Sequence, residues 1–153
     1  MGIYVQSPIP PRILAELLEE NWSDMQGNLP RPNIILVNDP EWAPTQDVES
    51  EDVLFISTDT RGETETLRNA WAYRDIKFDV LVEIKTMEGR QRLFDLIATV
   101  RKLIHTNTHN SSTTHYQVLR YGGATELAQS ESNIWSGTVR VSFESSGVIL
   151  DVV

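Results

Sequence analysis

From Ile76 to Lys85 the side chains alternate: Ile76, Phe78, Val80, Val82 and Ile84 are separated by Lys77, Asp79, Leu81 and Glu83. Successive residues of an extended chain point to opposite sides, so the five apolar residues share one face and predict a half-buried strand from Ala70 to Lys85. After a short break at Thr86 the period changes. Leu93, Leu96, Ile97, Val100, Leu103 and Ile104 recur at helical spacing and form an apolar stripe about 100° wide. That helix is predicted to dissolve at Thr106, where Asn107 to Thr114 supplies turn formers. A strand running into an amphipathic helix requires the helix to fold back onto the strand's apolar face.

The rest of the chain reads less sharply. Pro10 and Pro11 suit the first turn of a helix, where a missing N–H costs nothing. Ile13, Leu14, Leu17 and Leu18 follow at helical intervals, which predicts a first helix from Pro10 to Met25 that stops near Gly27. All seven prolines fall between Pro8 and Pro44. Pro30 and Pro32 enforce an extended approach to a short buried strand, Ile34 to Val37. Residues 38–52 carry six carboxylates and two prolines, which predicts a mobile acidic loop in which Trp42 and Val48 are the only large apolar side chains. A second strand is expected over Val53–Thr58, followed by a polar hairpin tip from Asp59 to Asn69 that turns at Gly62. A fourth strand is expected over Tyr116–Tyr121, with a turn or bulge at Gly122-Gly123. Trp135, Gly137, Val139, Val141 and Phe143 alternate along a fifth. Ser145-Ser146-Gly147 is expected to turn into a last strand, Val148–Val152. The order is α-β-β-β-α-β-β-β. It predicts a single α+β domain over residues 1–153, with a mostly antiparallel or mixed sheet of five to six strands and two helices on one face.

Composition narrows the functional classes. At 153 residues the chain can bury a real core without staples, and it contains no cysteine, so disulfides and thiolate chemistry are absent. No apolar run reaches membrane-spanning length and the N-terminus lacks a basic-then-apolar pattern, so neither insertion nor export is expected. The net charge of −9 lacks the clustered Lys and Arg that a sequence-specific grip on nucleic acid would use. Lysine is scarce, at Lys77, Lys85 and Lys102 alone, while Asp and Glu total 22. Abundant carboxylates with few lysines suit either a protein adapted to concentrated salt or a plain acidic protein.

Candidate chemistry is weak. His105 and His109 stand four apart but straddle a helix end, and His115 follows without a carboxylate to complete a metal site. Ser57, Asp59 and a histidine lack any nucleophile elbow. Asp79 and Glu83 lie on the polar side of their strand, and Gly122-Gly123 lacks the lysine and helix of a phosphate loop. No cofactor, metal or catalytic residue is assigned. An interface is better served: Trp42 on the acidic loop, Trp71 and Tyr73 near the hairpin tip, and Arg61 and Arg68 set against Asp47 and Glu49 offer aromatic and ionic contacts. Arg74, Arg90, Arg92 and Arg101 add to the same pool of cations.

The order of elements resembles the tail terminator, or tail completion, proteins of long-tailed viruses. The resemblance rests on Pro11 to Leu18, Arg74 to Ile84, the helix Arg90 to Leu103, and Asn133 to Phe143. It covers most of the chain but is architectural, without a diagnostic motif. It implies a structural virion protein rather than an enzyme, located at the tail end in the neck region and assembled in the host cytoplasm. Its expected partners are itself, as a homohexameric ring, the tail tube protein, and a head-side connector or stopper. The ring would stop tube polymerisation and join tail to head. Scarce lysine would fit a virus of halophilic archaea. The competing class is a small cytosolic hydrolase or nuclease whose carboxylates and histidine converge only on folding.

If the acidity is a salt adaptation, the protein loses structure in dilute buffer and recovers it as salt screens its carboxylates. Circular dichroism across a salt titration checks this, and a full fold in dilute buffer removes the halophilic reading.

Overall fold

The central strand of the sheet is the alternating segment identified above, and its registers organise everything else. A computed structural model describes residues 9–22, 29–43, 50–69, 73–109, 118–131 and 133–148. In chain order the elements are α1 (Pro10–Asn21), β1 (Asn33–Leu36), β2 (Val53–Asn69), β3 (Tyr73–Thr86), α2 (Arg90–Thr106), β4 (Val118–Glu131) and β5 (Ile134–Val148). The five strands form one mixed sheet in the order β1-β2-β3-β5-β4. β1 runs parallel to β2, and every other pairing is antiparallel. The protein is therefore an α+β domain of the expected class.

Cross-strand partners share a face, so the registers define the buried rows directly. Leu54, Ile84 and Gly137 form one row, and Ile56, Val82 and Val139 the next, with Val80 and Val141 beyond. Apart from Gly137 each of these is a fully buried hydrophobic, and they join Leu14 and Leu18 of α1 and Leu93, Leu96, Val100 and Ile104 of α2 in a single cluster. Both helices lie on this one face. α1 covers the β1–β2 side and α2 covers β3, β5 and β4. Each fully buried aliphatic side chain contributes about 1.5–3 kcal/mol relative to exposure, so the two-sided division of β3 is the main organiser of stability.

Local chemistry sets the ends. Pro10 and Pro11 occupy the first turn of α1, as their missing N–H groups allow. Beyond Asn21, Trp22 is buried and its Nε1–H donates to the Leu29 carbonyl at 3.1 Å, which closes the helix against the following segment. The expected continuation to Met25 lies outside the described residues. α2 begins at Gly89, whose φ of +102° an L side chain would resist. Glu88 therefore precedes the helix, and its carboxylate reaches forward to Arg92 at 3.4 Å.

Five expectations need correction, the first being the end of the fourth strand at Tyr121, since β4 continues through the double glycine to Glu131. Residues 59–69 are strand rather than hairpin tip: β2 pairs with β3 as far as Asn69↔Tyr73. Gly62, at φ +54°, sits in a bulge between Thr58 and Glu63 and does not reverse the chain. Residues 145–147 do not turn either, because Ser145, Ser146 and Gly147 pair with Ile76, Asp75 and Arg74 as β5 runs on. Val37 is exposed in a turn and outside β1. Parts of the predicted loop are built: Asn38 takes φ +64°, which asparagine tolerates, and Asp39 Oδ1 accepts the Glu41 N–H at 3.1 Å. Residues 44–49 and the expected final strand beyond Val148 lie outside the described residues. Gly122-Gly123 is a bulge, as one of the two expected forms, with the register shift between Tyr121 and Ala124.

Gly137 sits where β5 packs closely against both β4 and α2. A Cβ there would meet the Thr125 carbonyl oxygen at 3.2 Å, Ile97 Cδ1 at 3.3 Å and Leu93 Cδ1 at 3.4 Å. Gly137→Val is expected to destabilise the fold by about 1–3 kcal/mol through overpacking, read as a lower denaturation midpoint with unchanged slope.

Candidate interaction surface

Among the described residues no helix covers the second face of the sheet. Its apolar members, Ile35, Val53, Phe55 and Leu81, are only half-buried. Charge of both signs occupies the rest. Lys77 Nζ lies 3.8 Å from Asp79, Lys85 Nζ 3.3 Å from Glu83, and Arg120 Nε 2.6 Å from Glu144. Lys85 also sits 5.5 Å from the centre of the Phe55 ring. Exposed pairs of this kind contribute about 0–1 kcal/mol each. They make the face soluble and charge-balanced rather than strong.

Two bulges shape this face. The β2 bulge lies level with Asp79, which pairs with Ser142, and the β4 bulge lies level with Arg140, two residues away along β5. Bulges increase local twist. Between them a shallow cleft is lined by Asp59, Lys77, Asp79, Gly122, Arg140 and Ser142. Two carboxylates and two cations in so open a cleft suit charged groups of another protein chain better than a small apolar ligand.

At one end of the sheet a buried carboxylate joins elements distant in sequence. Asp52 is 1% exposed. Its Oδ1 accepts the Thr86 hydroxyl at 2.6 Å, and its Oδ2 accepts Arg92 Nε at 2.9 Å and lies 2.8 Å from Arg92 Nη2. Ser50 donates to the same oxygen at 3.3 Å, while the Asp52 carbonyl accepts the Asn33 N–H at 2.8 Å. One residue thus fixes the starts of β1, β2 and α2 and the end of β3. From the sequence, Asp52 falls on a solvated loop and Arg92 among cations open either to pairing between subunits or to solvent. Instead the two satisfy each other inside the chain, because a buried charge is tolerable only when paired and hydrogen-bonded. No local signal announces this, since 40 residues separate the partners.

The residues proposed from sequence for an interface fall in different places. Trp42 is half-buried against the core, with Nε1–H donating to the Ile34 carbonyl at 3.1 Å. Asp47, Glu49 and Trp71 lie outside the described residues. Arg61 and Arg68 lie on the distal half of β2 and Tyr73 opens β3, but their side chains are not among those described. Among the described residues the candidate catalytic groups do not converge. Ser57 is level with Leu81 on the open face. His105 lies on the other side, its ring edge-on to Tyr121 with centroids 5.7 Å apart. His109 is exposed past the end of α2, and His115 lies outside the described residues. Asp79 and Glu83 are ion-paired to separate lysines. Among the described residues no group of three His, Cys, Asp or Glu could hold a metal ion.

No protein-family model matches the chain, and no curated protein matches it.

Asp52→Ala deprives the Arg92 guanidinium, 17% exposed, and the Thr86 hydroxyl of their buried acceptor, with only the exposed Glu88 carboxylate left beside Arg92 among the described residues. The expected loss is about 3 kcal/mol, measured by denaturant unfolding. Lys77→Ala, at an exposed pair, should change stability by less than about 1 kcal/mol in the same assay.

Proposed function

We propose that this protein is a structural component of a viral tail, forming a ring that caps the tail tube, halts its polymerisation and joins it to the head-side connector. The reading rests on one observation: a single helix-backed sheet whose long strands carry an uncovered, charge-balanced face. The element order adds support, because an N-terminal helix, a short strand, a long hairpin, one main helix and terminal strands in that sequence resemble tail terminators. A ring of identical subunits needs a heterologous interface, in which different patches of one chain meet. The open face, the distal β2–β3 hairpin and, from its sequence, the acidic segment that holds residues 44–49 are the candidates for it. A balanced mosaic of both charge signs on the open face suits contact with other components of the tail, since complementary charge fixes register more than it adds affinity.

Mass measurement in solution tests the proposal. A discrete multiple of the chain mass, or conversion to one on addition of tail tubes, supports it, together with arrest of tube growth in a polymerisation assay. A monomer that never associates with tubes removes it. Deleting residues 44–49 is expected to leave the circular dichroism spectrum intact while weakening assembly at least tenfold, because the Asp52 junction and the Asp39–Trp42 turn flank the deleted stretch on either side.

A further inference from the structure

The sheet ends in two edges that complement each other. β1 borders β2 only from Val53 to Ile56, so from residue 57 to 69 no strand lies beside β2 on that side among the described residues. β4 is the last strand in the order, and no strand borders its outer side over 118–131 among the described residues. Such edges present backbone N–H and C=O groups to any strand that can reach them, and proteins usually blunt them with lysine, proline or bulges. These two stretches carry bulges at 59–62 and 122–123. Neither stretch contains a lysine or a proline. The two are nearly equal in length, and three antiparallel steps separate them, so β2 and β4 run in opposite directions.

We propose that the β4 edge of one copy pairs antiparallel with the distal β2 edge of the next, so that the sheet continues from subunit to subunit. This deepens the ring reading by naming the surface that closes it, and it rests on that reading. The registers supply the geometry. Glu63, midway along 57–69, is level with Phe78, Phe143 and Leu119. Ala124, midway along β4, is level with Val139, Val82 and Ile56. The two midpoints are therefore offset by the distance from Val139 to Phe143 along β5, about 13 Å at ~3.3 Å per residue. Each copy adds four strands, β2, β3, β5 and β4, or about 19 Å across the sheet at ~4.8 Å per strand. Copies at equal height on a ring then require strands tilted by about 35°, the inclination at which closed barrels form. The offset between the two edges is thus compatible with a closed ring of tilted strands. The face carrying α1 and α2 turns outward, where the helices have room, and the open face with Lys77, Asp79, Glu83 and Arg140 lines the lumen. A two-fold β4–β4 pairing would leave both distal β2 edges uncovered, which is why the heterologous pairing is preferred.

The absence of native cysteine makes the test direct. Thr64 and Thr125 are exposed on the open face of the two edges. The double variant T64C/T125C, treated with a short bismaleimide under conditions that maintain the assembly, should give a covalent ladder on a denaturing gel that ends at the ring's copy number. An equal mixture of the two single variants should give covalent dimers only, and each single variant alone should remain one chain. Dimers from T125C alone would overturn the proposal in favour of β4–β4 pairing. A ring detected by mass, in which the double variant gives no cross-link between positions 64 and 125, would overturn the edge pairing and leave the ring reading standing. A single-chain mass under all conditions would remove both. Hydrogen exchange on the unmodified chain reads the same contact without mutation: amides within 57–69 and 118–131 should exchange at least about tenfold more slowly in the assembled than in the dissociated protein. Equal rates overturn it.

Discussion

Everything in this fold depends on a sheet that, among the described residues, is covered by helices on one side only. β3 divides its residues with little compromise: Val80, Val82 and Ile84 are sealed under two helices, while Asp79, Leu81, Glu83 and Lys85 face outward. A period-two strand cannot slip by one residue without exchanging those sets, so burial on one face pins the register of its neighbours. The rows Leu54–Ile84–Gly137 and Ile56–Val82–Val139 follow from that constraint, and Gly137 lets α2 approach closely. The second face is left to charges and half-covered aliphatics.

A one-sided sheet must still fix how its helices attach. The Asp52 junction does this at one end, where a single carboxylate holds Thr86 and Arg92 while its backbone receives Asn33. Ion pairs on the open face are exposed and weak by comparison. The contrast in burial separates the roles: the buried carboxylate defines how the chain folds, while the exposed pairs add little to its stability.

The legible parts of the sequence were those where burial imposes a period. β3, α2, α1 and the alternating half of β5 each announce themselves through a stripe, and the double glycine announces the β4 bulge. Residues 59–69 and 145–147 misled through their polarity. At Glu63 to Thr66 the side chains on both sides of the strand are exposed, so alternation disappears and polarity imitates a loop. All four are nonetheless paired strand residues. The threonines at 58, 60, 64 and 66 were the available clue, since β-branched residues favour extended chain. Asp52 and Arg92 were unreadable because their meeting is a property of topology. The interface proposals built on Trp42 met another limit, for an indole on an acidic loop can serve its own core, as this one does.

The extended, polar ends of the strands bear most directly on function. A ribbon that buries little apolar surface gains little from its own folding, and isolated hairpins are marginal in water. Here β2 and β3 run on past the core to Asn69 and Tyr73, with β5 alongside to Val148. Ordering those residues costs about 1–2 kcal/mol of backbone entropy each, a cost that backbone pairing inside the ribbon offsets only in part. A strand edge completed by another copy would add the missing hydrogen bonds where the chain has no core to offer. On this view the polarity that disguised the distal strands as loops has the same cause as their proposed role: they extend beyond the helices toward a neighbour.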